Sequence, residues 1–492
     1  MATPEGERLL PTTARPSQGV YDALHQAKPY AVAVPATARQ KTMCTCECTC
    51  ACERGVPIIT SIHLHTPTHQ HSLSPSNALS PEDTSVSVPF AVVMTFMTLF
   101  MSVVGAGMLS IPFTFASAPI SVVMMSLLAV GLGMGYTAEL LVRVHIATNV
   151  STFNGLAEVA FGSVVSKIVS ATTIFAILGA CVGCIEIVTD LSPFLVHFVG
   201  IETLYNPTVI VLPVFIVAVY PLTLLKNITA LRFSSYVGFV ASIYLVVAVT
   251  VRAASSTPAA IVDPPTYDDL PLKIAHVASV FNYAFVSHLN VIPLYANLRH
   301  AMQPSVQPST ALSALSLMRG VIYTMSIFCI VMYAVFGTHA LTLYGSHIQG
   351  NILLNLENDR VMEFPRLAVL VTILFSFPLL FHPFMLLVES FALQCMGSEG
   401  VYVSRRVKAM QSLVLLLVVV AVATVMPGIQ VTFSLTGASC VTLICYVFPV
   451  LTYLQLCPTD SVLRRGAAVV VGLVGAAAGI AATGLVLTRT TV

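Results

Sequence analysis

Val103-Val104-Gly105-Ala106-Gly107-Met108-Leu109-Ser110-Ile111-Pro112 is the stretch on which the reading of this chain turns. It lies inside an apolar run over residues 90–117, and a helix needs about 20 residues to cross hydrocarbon. Two glycines in mid-helix, with a proline a turn or two later, weaken a hydrogen-bond ladder that lipid cannot replace. Unwound backbone at that depth survives only where protein buries it or a cavity wets it. Such a break offers free N–H groups and the positive end of a dipole, about half a charge. An amino-acid carboxylate binds there without a buried arginine. A small-residue face between close helices accounts for the same glycines, and from this stretch alone both readings stand.

The rest of the composition puts that stretch in a membrane. Charged residues make up 9% of the 492 residues, where a soluble domain carries roughly 25%. Hydrophobic residues make up 56% and the mean hydropathy is +0.88. Such a chain cannot clothe a globular surface in charge, so its solvent is mostly lipid. A soluble enzyme is excluded, and a net charge of +1 leaves a nucleic-acid binder no basic patch. A β-barrel would alternate every second residue, whereas the apolar runs here are continuous. With no Trp in the chain, any aromatic belt comes from Tyr and Phe.

Spans are predicted at 90–117, 119–142, 166–190, 207–225, 234–252, 274–295, 318–338, 365–388, 409–426, 430–454 and 466–488. The last gap but one holds only if Pro427-Gly428 makes a tight turn. The expectation is an all-α membrane protein of eleven transmembrane helices over residues 88–492. Residues 1–87, rich in Pro, Ser, Thr and Ala, read as a disordered cytosolic tail without a cleavable signal pattern. Lys and Arg in the loops set the orientation. With the tail inside, Arg143, Lys167, Lys226, Arg232, Arg299, Arg319, Arg405, Arg406, Lys408, Arg464 and Arg465 fall on the inner side. Arg252, Lys273, Arg360, Arg366 and Arg489 fall outside. This predicts a cytosolic N-terminus and sequons at Asn149 and Asn227 that stay unmodified.

A second interruption is predicted in the sixth span, Phe281-Asn282-Tyr283-Ala284-Phe285-Val286-Ser287-His288-Leu289-Asn290-Val291-Ile292-Pro293. Asn282, Ser287, His288 and Asn290 are expensive in lipid unless paired or facing water. Both interrupted segments end in Ile-Pro, and each opens a five-helix block. Matched broken helices in two halves point to an inverted-repeat transporter with its site between them.

The first motif resembles the GSGIL-x-LP stretch of the amino acid/auxin permease family. Gly179-Ala180-Cys181-Val182 with Thr189-Asp190 is similar to that family's third helix, and Lys226-Asn227-Ile228 to the turn after its fourth. Phe285-Val286-Ser287-His288 through Leu294-Tyr295 resembles F-V-C-H-x-x-x-x-P-I-Y of the sodium-coupled neutral amino acid transporters in this family. Gly350-Asn351-Ile352-Leu353-Leu354-Asn355 and Gly437-Ala438-Ser439 through Phe448-Pro449 follow in register. The likeness covers about residues 88–488. It implies a LeuT-like 5+5 inverted repeat plus one extra helix, and secondary transport of amino acids.

On that resemblance the substrate carboxylate meets the backbone around Val104, Gly105, Ala106, Gly107 and Met108. The amino group meets carbonyls of the broken helices near Phe281, Asn282 and Ser287. Sodium-coupled members carry an Asn four residues before the first motif glycine, where it helps ligate the ion; this chain has Met101 there. Ser376 is a surviving hydroxyl candidate. A thioether is a poor ligand for a hard cation, which argues for a proton or facilitated exchange, with sodium as the alternative. Glu186 and Asp190, four apart on one helix face, and His288 are the proton candidates, with His382 as a further option. Each has a plainer reading: an acid reaching the aqueous mouth, or an imidazole bonded to a freed carbonyl. Glu139 and Glu389, at inner helix ends, read as gate or interface charges. A carboxylate in the pocket would instead suit a cationic amino acid or polyamine, and a transporter-like amino acid sensor signalling through the tail is the third option.

No cofactor or metal is expected. The alternating Cys44, Cys46, Cys48, Cys50 and Cys52, followed by His63, His65, His69 and His71, fit structural zinc spacing poorly; compositional drift or palmitoylation explains them. The other seven cysteines read as buried small apolar residues. Glu5-Gly6-Glu7-Arg8-Leu9-Leu10 resembles an acidic dileucine sorting signal, which leaves the plasma membrane and an endolysosomal or vacuolar membrane both open.

Overall fold

Lipid offers the backbone no hydrogen bonds, so each buried segment must close its own, and among the described residues this chain does so chiefly with helices. The structure, a computed structural model, describes residues 88–200, 206–224, 233–259, 266–302, 308–357, 359–397 and 404–490. The expected tail with its Cys and His runs, the dileucine-like segment and the Lys226-Asn227-Ile228 turn lie outside the described residues.

The order opens with α1 (Val88–Val103), a 3-10 turn (Ala106–Ser110) and α2 (Ile111–Ser117), followed by α3 (Ile120–Thr148). Then come α4 (Phe153–Phe161), α5 (Ser163–Asp190), α6 (Ser192–Val199), α7 (Pro207–Thr223) and α8 (Phe233–Ser255). The second half holds α9 (Leu270–Ala284), α10 (His288–Met302), α11 (Pro308–Tyr344), α12 (Ile352–Asn355) and α13 (Glu363–Cys395). It continues with α14 (Arg405–Val425), α15 (Ile429–Thr436), a π-helical stretch from Gly437 to Val447, α16 (Phe448–Leu456) and α17 (Val462–Thr490).

Helices stand at all eleven expected spans. Among the described residues nine are long and apolar enough to cross a membrane, with α9–α10 and α15–α16 each counted as one. The pair α1 and 3-10–α2, bent by 48°, makes a tenth. The 17-residue α7 falls below the roughly 20 residues of a full crossing. Pro427-Gly428 is a tight turn: Gly428 has φ +141°, a conformation L side chains rarely adopt. The short α4, capped by Thr152 Oγ1 accepting from Gly155 N at 3.1 Å, and α6 went unpredicted, because neither is long enough to register as a span. Of the seven described cysteines, Cys181, Cys184, Cys329 and Cys445 are buried, Cys440 and Cys457 half-buried and Cys395 exposed; all are free.

Arg366 departs from the loop assignment. It lies within α13, 2% exposed, with its guanidinium 4.2 Å above the Phe194 ring. Stacking on an aromatic face lets an arginine enter a packed region that a lysine would avoid.

One end of the bundle is held by charge. Glu139 of α3 accepts from Arg143 at 2.7 Å and from Arg319 of α11 at 2.9 Å, and Tyr323 O–H donates to it at 3.3 Å. Arg143 also faces Asp460 at 3.7 Å. Asp460, between α16 and α17, accepts from Arg464, from Tyr453 O–H at 2.8 Å and from Ser461 N–H at 2.8 Å. Glu389 pairs with Lys408 at 3.0 Å. Both acids read as interface charges therefore hold helix ends together. Burial disfavours the Asp460 charge, but its hydrogen bonds from Arg464, Tyr453 and Ser461 outweigh burial and bring its pKa down to about 2. An unfolded Asp titrates near 3.9, so this carboxylate stabilises the fold above about pH 4 and ceases to do so as pH falls toward 2. Asp460→Asn is expected to lower thermal stability at pH 7 by on the order of 1 kcal/mol and to flatten its decline between about pH 4 and 2. Unfolding midpoints of both proteins across that range check this.

Candidate functional site

The first break follows from its sequence. Val104 N–H reaches Phe100 O at 2.7 Å, Gly105 N–H turns back to Val103 O at 3.0 Å, and Met108 N–H returns to Gly105 O at 3.2 Å. The amides of Ala106 and Gly107 are passed over between them. Gly105 and Gly107 are glycines for different reasons. A Cβ on Gly105 would meet nothing within 4 Å, because this residue opens onto a cavity. A Cβ on Gly107 would stand 2.9 Å from the Tyr283 ring and 3.2 Å from Ala284 Cα. The two readings of the glycine pair are thus divided between its members, one facing space and the other facing a packed helix.

The cavity, about 100 Å³, is lined by Met101, Val104, Gly105, Ala106, Met108 and Leu109 from the first break, with Cys184 of α5. Gly238, Ala241 and Ser242 of α8 and Val369, Thr372, Ile373 and Ser376 of α13 complete it. That volume corresponds to on the order of three waters. Its lining holds no charged side chain among the described residues. Met101 and Ser376, proposed for an ion, face the same space. The Ser376 hydroxyl donates to Thr372 O within its own helix, and Thr372 to Ala368 O at 2.8 Å.

At the second break the helix lapses for three residues, Phe285 to Ser287, between α9 and α10. Its predicted site residues lie apart from the cavity. Phe281 is fully buried. Asn282 donates to Thr442 at 3.4 Å and accepts from Tyr446 O–H at 3.2 Å. Ser287 is buried. His288 Nε2 pairs with Thr137 Oγ1 of α3 at 2.9 Å, while its Nδ1, like that of His382, meets no polar atom among the described residues. Asn290 reaches back to Ser102 of α1 at 2.8 Å.

The acidic candidates sit on a face of α5 built by small residues. Gly179, Gly183, Glu186 and Asp190 follow at intervals of four, three and four, one stripe of a helix. Cβ atoms on Gly179 and Gly183 would stand 2.2 Å from Thr436 and 2.1 Å from Phe433. Their absence lets α15 lie against α5 and brings Thr432 Oγ1 to Glu186 Oε1 at 3.0 Å. Glu186 Oε2 is buried without a partner among the described residues. Phe433 in turn stacks on Tyr283 at 4.2 Å. Asp190 accepts from Asn351 Nδ2 at 2.9 Å. The Gly350-Asn351 motif also touches the first break, since Ser110 Oγ donates to Gly350 O at 2.9 Å.

Sequence reasoning passed over one residue at both breaks. Tyr333 of α11 donates its hydroxyl to Val103 O and to Ala284 O, each at 3.2 Å. A lone tyrosine inside an apolar run carries no local signal of such partners.

The chain, with its two interrupted helices, also matches known proteins. A family model for transmembrane amino acid transporter proteins covers residues 90–485. The chain belongs to that family. It is 23% identical over 382 residues to amino acid transporter AVT6E of Arabidopsis thaliana, covering 73% of this chain and 74% of that one. It is 23% identical to vacuolar amino acid transporter 2 of Saccharomyces cerevisiae, over 74% of this chain and 76% of that one. A Xenopus laevis protein provisionally named sodium-coupled neutral amino acid transporter 10 is 24% identical over 73% of this chain, which spans only 34% of that protein. Mhp1, a nucleobase-cation-symport-1 family transporter solved closed around bromovinylhydantoin, superposes with a TM-score of 0.51 at 14% identity, over 84% of this chain and 95% of that one. The family member described here therefore has the LeuT-type fold, and its relatives are named as transporters, not enzymes.

The two motif glycines are expected to respond differently to alanine. Gly107→Ala must displace Tyr283 and should lower stability by about 1–3 kcal/mol. Gly105→Ala, at φ −106°, should leave stability within about 0.5 kcal/mol while its methyl takes space from the cavity. Thermal unfolding together with ligand-induced stabilisation separates the two.

Proposed function

We propose that this protein is a secondary carrier of small neutral L-amino acids that works by alternating access. The observation that carries the reading is the cavity against the first break. It offers to a carboxylate the backbone of Gly105 and Ala106, the latter's amide having no backbone partner among the described residues, a small apolar wall to a side chain, and no charge to attract a cationic one. Family membership supports an amino acid as substrate. The cationic and polyamine reading needs Glu186 in the pocket, and its bond to Thr432 favours another role for it. In this reading all eleven helices cross, two five-helix repeats carry one break each, and the N-terminus is cytosolic. The name of the yeast relative, a vacuolar amino acid transporter, supports an intracellular membrane, with the plasma membrane as the alternative.

Coupling to a proton, or facilitated exchange, suits the lining better than coupling to sodium. Met101 brings a thioether where an oxygen ligand would serve sodium. Glu186 is the residue to carry a proton: its Oε2 has no partner among the described residues, and a buried carboxylate half unsatisfied is costly in low dielectric. Proteoliposomes holding the purified chain are expected to take up labelled alanine or serine in preference to arginine or lysine. An inward proton gradient should raise the rate several-fold and a sodium gradient should leave it unchanged. Glu186→Gln should remove the gradient's effect while amino acid exchange persists. Absence of uptake for every amino acid would refute the carrier reading, and sodium-driven uptake would refute the coupling.

A further inference from the structure

We propose that Tyr333 is a positioning residue that ties the two helix breaks into one cooperative unit, so that neither reorganises without the other. Val103 is the last residue of α1 and Ala284 the last of α9. Each is the C-terminal end of a half-helix, where the final carbonyls lack their usual amide partners and carry the negative end of the dipole. One hydroxyl reaches both, at 3.2 Å each. A phenol has a single proton, so the two carbonyls share it, and moving either end alone breaks the shared geometry.

The side chain is held to this task. Tyr333 is fully buried, and its ring meets Phe285, the residue after Ala284, edge to face at 5.3 Å. One turn further along the same face of α11, the missing Cβ of Gly337 admits the Phe115 ring, which would otherwise stand 2.2 Å away. Phe115 belongs to α2, the helix after the first break. A single face of α11 therefore grips the first break on both sides and the second at its start. A buried tyrosine hydroxyl needs an acceptor in any case; what exceeds that need is that both acceptors are the terminal carbonyls of the two interrupted helices, Val103 O taking only a short-range bond from Gly105 N–H besides.

Hydrogen exchange read by mass spectrometry on the full chain in lipid nanodiscs tests the tie. In Tyr333→Phe the ring packing remains and only the hydroxyl is lost. Amides of residues 103–110 and 284–290 should then exchange about fivefold faster, the equivalent of one net hydrogen bond, while α14 stays unchanged. Acceleration of one segment alone, or of neither, overturns the proposal. Should the variant not accumulate folded, the wild-type chain decides: both segments must open at one common rate, and independent rates overturn it. The consequence for transport rests on the carrier reading above. There Tyr333→Phe should raise KM for the amino acid about fivefold with Vmax within twofold, and an unchanged KM overturns the positioning role. Failure of the wild type to transport would refute the carrier reading and leave the exchange result standing as the test of the tie.

Discussion

A backbone amide or carbonyl left unpaired inside a bilayer has nowhere else to turn, and the organisation of this protein follows from how it meets that constraint at two places. At both breaks the chain forgoes part of its helical ladder within the membrane. The first break sets Gly105 and Ala106 beside a cavity and shares its terminal carbonyl, Val103 O, between Gly105 N–H and Tyr333. The second hands its freed carbonyl to the same hydroxyl and closes its other polar groups on α1 and α3 through Asn290 and His288. Several polar groups at membrane depth are thus bonded across helices, as a chain without access to bulk water requires, while Glu186 Oε2 and His288 Nδ1 stay without a partner among the described residues.

Close approach of backbones makes this possible. Gly107 against Ala284, Gly183 against Phe433 and Gly437 against Ser279 O remove side chains where helices must nearly touch. In lipid, helices gain little from burying apolar surface and associate instead through tight packing and hydrogen bonds. The same contacts place the chemistry: the packing of α15 on α5 brings Thr432 to Glu186. Ion pairs gather in the Glu139–Arg143–Arg319 cluster and its link to Asp460, while Glu186 and Arg366 are buried within the bundle.

Much of this was readable beforehand, and unevenly so. The spans were legible because hydrocarbon thickness imposes a length and a composition that survive without any knowledge of neighbours. The first break was legible because two glycines and a proline within ten residues are a local cause. At the second break the interruption was legible but its partners were not: nothing local marks the bonds of Asn282 to Thr442 and Tyr446. Arg366 reads as a loop cation and is stacked inside the bundle on Phe194. The walls of the cavity on α8 and α13, from Gly238 to Ser376, carry no mark that separates them from lipid-facing residues of similar polarity.

By itself the sequence determined that this is a helical membrane protein, where its helices run, and where its backbone is weakest, because each depends on hydrophobic length and local backbone propensity. Which polar atoms meet depended on the tertiary structure alone. The bonds joining Tyr333 to Val103 and Ala284 span 230 and 49 residues of chain, and only the packing of whole helices brings such groups within hydrogen-bonding reach.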